Sequence, residues 1–406
     1  MNTLENKRIL IIGFVWPEPN SSAAGTRMMQ LISFFKKKGV KITFASTASE
    51  SQFSKELIGV DKKRIALNCS SFDEFILELK PVFVLFDRFM TEEQFGWRVA
   101  QHCPDAIRML DTEDLHCLRE ARRISVLKNK PFELINDIAK REIASIFRCD
   151  VTLMISEFEM ELLQSHFRVP HFLLFYLPIW VEDEILNLPN FEERSDFMFI
   201  GNFLHSPNHD AVVYLKEVIW PLLFKKFPEA KMQVYGAYPT PKINSLHNPK
   251  QSFFVHGRAE SSFEVISKAK VLLAPIRFGA GIKGKLLEAM LYGIPSVTST
   301  IGAEAMNGEF EWNGFIRDSP IEFAEKAIEL YQNKPIWLQA QQKGLEILKH
   351  RFSKHLFEDT FCEVLIDKLK QFKKYREDNF IGAMLMHHFL QSTKYMAKWI
   401  EEKNKR

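Results

Sequence analysis

Cysteine is scarce in this sequence of 406 residues: Cys69, Cys103, Cys117, Cys149 and Cys362 are scattered, with no C-x-x-C pair among them. That pattern belongs to a reducing, cytoplasmic compartment. An excess of one charge is also missing, since 54 basic side chains stand against 51 acidic ones for a net +3; a dedicated nucleic-acid binder is therefore not expected. No run reaches the ~18 apolar residues that a membrane span needs. Met1 to Arg8 is charged and leads straight into a strand, so no signal peptide is expected. There is no low-complexity segment, and no internal repeat beyond an alternation of strand and helix patterns. What remains is ordinary globular composition, 46% hydrophobic and 26% charged, with length enough for two or three domains.

The alternation itself predicts an α/β protein. Arg8 to Gly13, Val40 to Ala45, Val82 to Phe86, Ile107 to Leu110, Val151 to Ile155 and Phe172 to Leu177 read as strands, with helices at Met28 to Lys38 and Glu159 to Phe167. Such repeats imply a parallel sheet with ligands at the carboxyl ends of its strands. Pro178 to Arg194, with Glu182 to Glu184 and Pro189, reads as a linker. Strands then recur at Phe197 to Gly201, Lys231 to Gly236, Phe253 to His256, Val271 to Ala274, Ile294 to Thr298 and Gly314 to Ile316. Helices are expected at His209 to Lys226, kinked or divided by Pro221, at Pro320 to Tyr331 and at Ile336 to Leu348. The predicted division is 1–177, a linker 178–194, 195–352 and a helical tail 353–406, with a cleft between the two domains as ligand site.

The most informative stretch runs from Pro275 to Met306, P-I-R-F-G-A-G-I-K-G-K-L-L-E-A-M-L-Y-G-I-P-S-V-T-S-T-I-G-A-E-A-M. Its glycines at 279, 281 and 284 let backbone approach a ligand closely, and the helix from Lys285 to Leu291 turns unpaired amides toward that place. An anion, most simply a phosphate, suits it. Glu288 lies one turn beyond Gly284 on the same face, past the reach of the helix dipole, and suits two ribose hydroxyls.

These residues closely resemble the nucleotide-sugar signature of the family-four retaining glycosyltransferases, which have the GT-B fold of two Rossmann-like domains facing a cleft. The resemblance implies transfer of a sugar from a nucleotide-diphosphate sugar to a glycan, lipid-linked or other hydroxyl acceptor, with retention, and with no cofactor or metal. It implies donor contacts from Gly279, Ala280, Gly281, Ile282, Lys283 and Glu288, and from Gly302 and Ala303 in a strand-to-loop turn. In the family a first Glu stands eight residues before the second; here that position is Ala280. Family members also hold the diphosphate with an Arg and a Lys after the first strand of this domain. The loop here, Gly201-Asn202-Phe203-Leu204-His205, has neither, which leaves Lys283 or Lys285 as substitutes, Lys283 being favoured. Arg258 is a candidate neighbour of the base or phosphates, or alternatively a surface arginine. Two rival functions share the fold: a non-catalytic nucleotide-sugar-binding partner and a nucleotide-sugar epimerase.

The first domain offers two further candidates. Ala24-Gly25, with Arg27 after it, keeps half of a Gly-Gly loop that in the family lies near the donor phosphates and acceptor; a tight turn needing one glycine is the alternative. Asp111-Thr112-Glu113-Asp114-Leu115-His116, followed by Arg119 and Arg122, crowds one strand end. It resembles the family's His-Asp region, which gives His116 or Asp114 to donor sugar hydroxyls and an arginine to an anionic group, whereas a capped helix would account for the same acids. Its spacing fits no familiar zinc pattern. In the tail, Phe357 to Phe372 suits a helix crossing back onto the first domain. Phe380, Met384, Phe389, Met396 and Trp399, with Lys368, Lys370, Lys373, Lys374 and Arg376, are expected to pack on the protein, an interfacial membrane helix being the alternative.

Overall fold

The computed structural model of the chain describes residues 4–182 and 188–404, the side chains of 388–391 excepted. The first domain comprises β1 (Arg8–Gly13), α1 (Ala23–Lys37), β2 (Lys41–Ser46), β3 (Asp61–Arg64), α2 (Ser71–Leu79), β4 (Phe83–Asp87), α3 (Phe89–His102), β5 (Ile107–Asp111), α4 (His116–Lys128), α5 (Asp137–Arg148), β6 (Val151–Met154), α6 (Glu157–Ser165) and β7 (Leu174–Tyr176). The second comprises β8 (Ser195–Ile200), α7 (Ser206–Tyr214), α8 (Trp220–Lys226), β9 (Met232–Tyr235), α9 (Pro241–Ser245), β10 (Phe253–Gly257), α10 (Ser262–Lys268), β11 (Ala269–Ala274), α11 (Gly284–Leu291), β12 (Ser296–Thr298), α12 (Thr300–Ala303), β13 (Gly314–Ile316), α13 (Pro320–Gln332) and α14 (Lys334–Ile347). The chain closes with α15 (Glu358–Asp378) and α16 (Phe380–Asn404).

Both sheets are parallel, as the apolar strands β1, β4 and β11 demand: a strand covered by helices on both faces has no polar side to alternate. The first runs β3-β2-β1-β4-β5-β6-β7 and the second β10-β9-β8-β11-β12-β13. The order reverses between β1 and β4 in one sheet and between β8 and β11 in the other. Loops diverge at these reversals and open a crevice at the carboxyl strand ends.

Several boundaries differ from the sequence reading. Helix α1 begins at Ala23, because the Ser22 hydroxyl caps it by accepting from the Gly25 amide at 3.1 Å. Ala24 and Gly25 therefore lie in a first helical turn, not in a loop. Gly302 and Ala303 lie in α12, where Ser299 caps Gly302 at 3.0 Å, not in a strand-to-loop turn. The helix expected from His209 starts at Ser206, and ahead of Pro221 a π-helical turn, Leu215–Ile219, divides it; proline has no amide to continue the ladder.

The described ends of the segment between the domains are packed. Trp180 and Arg194 are buried, and the Arg194 guanidinium donates to the carbonyls of Pro189, Ser267 and Tyr292 at 2.9 Å each. Asp183 and Glu184, two of the acids that marked this linker, lie outside the described residues. Helix α15 returns to the first domain, where buried Phe361 packs on Phe34 and Phe175 with ring centroids 4.7 and 5.5 Å apart. Lys368 donates to the Phe172 carbonyl at 2.7 Å and Arg376 pairs with Asp150 at 2.6 Å, so two of the five basic tail residues serve packing. Helix α16 lies against α3 and α5. Contrary to the expectation of packing, Phe380, Met384, Met396 and Trp399 on it are exposed, and the Phe389 side chain lies outside those described.

Candidate active site

A cavity of about 1030 Å³ lies between the two sheets, walled by loops from both reversal points: Phe14 to Ser22 after β1, Asp87-Arg88 after β4, Gly201-Asn202 after β8 and Ile276 to Lys283 after β11. Two helices point their amino ends into it from opposite domains. A β-carbon on Gly284, the first residue of α11, would stand 2.6 Å from that of Ala23, the first residue of α1. Among the described residues the amides of Ala23, Ala24, Gly284 and Lys285 have no hydrogen-bond partner. Two positive helix ends thus face one space, which favours an anion.

On the second-domain side, Gly279, Ala280, Ile282, Lys283 and Glu288 line the cavity, with Gly201, Asn202 and Arg258. Gly281 does not: it adopts φ +63°, and its amide donates to Glu159 of the first domain at 2.7 Å. Ala280 packs into the first domain's core. Lys283 Nζ donates to the Gly281 carbonyl at 2.7 Å, and Lys285 Nζ to Asn208 Oδ1 at 2.6 Å. Burial lowers both ammonium groups to about 8, Glu304 and Glu159 opposing it for Lys283 while the Lys283 charge adds to it for Lys285. Lys285 thereby reaches the first turn of α7, whose Asn208 in turn donates to the Asn202 carbonyl in the loop after β8 that lacks its own Arg and Lys. Glu288 accepts from Ser262 Oγ at 3.0 Å, and burial raises its pKa. Arg258 lies 4.5 Å over the Phe53 ring, and Tyr238 donates to Glu18 at 2.9 Å, so groups of both domains meet at this end. Gly302 and Ala303 do not line the cavity; they are buried in α12. Next to them, Glu304 binds Arg122 of α4 across the cleft at 2.6 Å.

On the first-domain side, Ala24, Gly25, Asp114, His116 and Arg119 line the cavity. Arg27 and Asp111 do not. They form a fully buried ion pair at 2.9 Å, with Arg27 also reaching the Leu177 carbonyl, so the expected phosphate or acceptor contact is replaced by a structural one. Asp114 pairs with Arg119, and His116 Nε2 stands 3.5 Å from Asp114 Oδ1. Burial alone would raise the Asp114 carboxyl, but Arg119, His116 and His205 together hold it below the usual range. Burial lowers His116 to about 3 against the Asp114 charge, so the imidazole is neutral at neutral pH. Glu113, at φ +63°, is pushed up to about 8 by burial and by Asp111.

Several cavity residues escaped the sequence reading. His205, on the loop after β8, is lowered by burial to about 4 and faces Asp114 from the other domain. Arg88, at φ +71°, stacks 5.2 Å from the Phe14 ring, while Asp87 accepts from the Phe14 amide at 2.9 Å. Asp87-Arg88 at a strand end was a visible signal for this pair; a lone histidine in a loop gives none. Among the described residues no group of three or more His, Cys, Asp or Glu side chains could hold a metal ion, and no helix is long and apolar enough to cross a membrane.

Residues 194–333 match the family described as glycosyl transferases group 1. Among curated proteins none matches the chain by sequence. Similar solved structures include sucrose-phosphate synthase from Thermosynechococcus elongatus, at TM-score 0.68 and 11% identity over 89% of this chain and 99% of that one. WaaG, a glycosyltransferase involved in lipopolysaccharide biosynthesis, superposes at TM-score 0.64 and 11% identity over 88% and 99%. Anabaena HepE, solved in complex with UDP and glucose, does so at TM-score 0.63 and 11% identity over 89% and 99%. The whole chain therefore has the two-domain GT-B fold, and its second domain is similar in sequence to the glycosyl transferases group 1 family.

Proposed function

We propose that the protein is a glycosyltransferase that binds a nucleotide-diphosphate sugar in the cavity between its domains and passes the sugar, with retention, to a hydroxyl of a glycan or lipid-linked acceptor. The observation that carries this reading is the convergence of the amino ends of α1 and α11, with Lys283 and Lys285, on one cavity that also holds Glu288. Charge develops on the diphosphate as its bond to the sugar breaks. Amides and ammonium groups fixed in advance stabilise that charge without reorganising. The diphosphate then lies in the cavity beside the two helix ends, the ribose on Glu288 and the base toward Arg258 and Tyr238. His116 and Asp114 face the sugar. His116, neutral and beside an ionised carboxylate, is suited to hydrogen-bond a sugar hydroxyl, and the acceptor's proton passes to the leaving phosphate oxygen. This assignment calls for no metal ion; loss of activity in a chelator with recovery in magnesium or manganese would contradict it. An acceptor carried on a lipid would bring the chain to a membrane surface, and Phe380, Ile381, Met384, Met396 and Trp399 are among the exposed apolar side chains of α16 available for that contact.

A thermal-shift panel of UDP-, GDP-, TDP- and ADP-sugars tests the reading, because a ligand stabilises the fold by the logarithm of its concentration over its dissociation constant. One nucleotide class is expected to raise Tm, with the shift abolished in Glu288→Ala. No shift with any of them would refute the donor site. Binding without release of nucleoside diphosphate to any acceptor would point to a non-catalytic partner.

A further inference from the structure

Glu159, met so far as the acceptor of the Gly281 amide, touches both halves of the site. The residue stands in the first turn of α6 and is fully buried. Its Oε1 accepts from the Gly281 amide of the second domain at 2.7 Å and from the Leu115 amide of the first at 3.2 Å. Leu115 immediately precedes His116, and the next two amides of α4, those of His116 and Cys117, are held by Glu142 at 3.0 and 2.9 Å. Gly281 in turn accepts from Lys283 Nζ at 2.7 Å. A single carboxyl oxygen therefore lies between the helix end that carries His116 and the loop that carries Lys283.

The surroundings leave that loop little freedom while the contact holds. A β-carbon on Gly281 would stand 2.9 Å from Asp114 Cβ and from Ile155 Cδ1. On the other side of the loop, Arg122 of α4 donates to the Gly279 carbonyl at 2.9 Å. Glu159 Oε2 is buried with no hydrogen-bond partner, an arrangement that favours the protonated acid over a carboxylate with an unsatisfied oxygen. Burial and the Asp114 charge push Glu159 up to about 8, against the Leu115 and Gly281 amides and the Lys283 ammonium. Asp114, Lys283 and the Cys117 thiol are ionisable groups that face it.

We propose that Glu159 is a positioning residue that clasps the two domains. By holding Leu115 and Gly281 on one oxygen, it sets the Lys283 loop in register with His116, so that the donor loop acquires its binding shape only in the closed molecule. Its bearing on donor binding rests on the glycosyl-transfer reading, but the clasp itself exists without a nucleotide and is testable without one.

Hydrogen–deuterium exchange of residues 279–285 in the nucleotide-free protein reads the clasp directly, and calorimetric titration with UDP reads its effect on the site. Glu159→Ala is expected to speed exchange of that segment by about tenfold, the loss of one buried hydrogen bond, and to weaken UDP by a similar factor. Glu159→Gln, which keeps the accepting oxygen and cannot ionise, is expected to stay within about twofold of wild type in both at pH 7. Raising the pH from 7 to 9 should loosen the segment, relative to a core segment such as 197–200, more in wild type than in Glu159→Gln, since Lys283 and Lys285 titrate alike in both. Should Glu159→Ala fail to fold, this pH contrast decides alone. Unchanged exchange in Glu159→Ala, equal damage from Gln and Ala, or the same pH response in wild type and Gln would each overturn the clasp. An exchange contrast in a protein that binds no nucleotide would leave the clasp standing and remove the donor reading instead.

Discussion

Gly284 and Ala23 meet across the interdomain cleft with room for one β-carbon between them, not two: a second would lie 2.6 Å from the first. The contact fixes how near the amino ends of α1 and α11 come to one another, and hence the width of the space offered to an anion. Gly284→Ala should force the helices apart and lower affinity for the nucleotide by about tenfold or more, since the preference of a helix end for an anion fades within a turn. Far-UV circular dichroism should not change. Ala23→Gly in the same chain removes the conflicting carbon and should restore binding; a double variant as weak as the single would contradict the contact.

Arg27 and Asp111 supply a second expectation. Both are fully buried, and Arg27→Met would leave the Asp111 carboxylate uncompensated. Breaking a buried pair from one side costs about 3–5 kcal/mol. Urea unfolding should show a loss of that size, while the nucleotide dissociation constant of the protein that remains folded stays as in wild type.

The tail makes its own prediction. Phe361 comes from the last part of the chain yet sits in the core of the first domain, against Phe34, Phe35 and Phe175. Phe361→Ala should destabilise the first domain by about 3–5 kcal/mol, seen as a lower denaturant midpoint. Trp399→Ala on the exposed side of α16 should leave that midpoint within about 0.5 kcal/mol of wild type.

Stability should also depend on pH in a defined direction. Burial raises Glu113 and Glu159 to about 8 and Glu142 to about 7. Above pH 4.5 the unfolded chain has released these protons and the folded chain keeps them, so stability falls as pH rises toward 8. His116 and His205, lowered mainly by burial to about 3 and about 4, act oppositely: below pH 6.5 the unfolded chain takes up protons that the folded chain refuses. Between pH 6.5 and 7.5 the histidines are silent and Lys283, Lys285 and Lys368, lowered to about 8, are still mostly charged, so the urea midpoint should decline. Glu142→Gln should reduce that decline; a midpoint that rose over the interval would contradict the assignment.

How much of this was legible in the sequence follows from where the physical signal lies. Strands such as β1 and β11 are continuous apolar runs, and the Gly-Ala-Gly loop before α11 declares itself by its glycines. The start of α1 is hidden, because Ser22-Ala23-Ala24-Gly25 has no apolar periodicity and only the hydroxyl cap marks it. β3 is Asp-Lys-Lys-Arg, exposed throughout, and takes its strand form from pairing with β2. Arg27 looked like a phosphate ligand because its partner Asp111 is 84 residues away. Glu159 stands in Glu157-Phe158-Glu159, a pattern of an exposed helix start, yet its side chain is buried between the Leu115 and Gly281 amides, 44 and 122 residues away.

The two crossings between the domains run side by side: the Val181 amide donates to the Phe352 carbonyl at 2.7 Å, and the Lys354 amide returns to the Val181 carbonyl at 3.0 Å. One strand of backbone would act as a swivel, free to turn about its own bonds. Two strands tied to each other behave as a door hung on a pair of pins, with a single axis left to rotate about. Closure about that axis would carry Gly284 toward Ala23 and Gly281 toward Glu159 along one arc, leaving only the final register to the Glu159 contact.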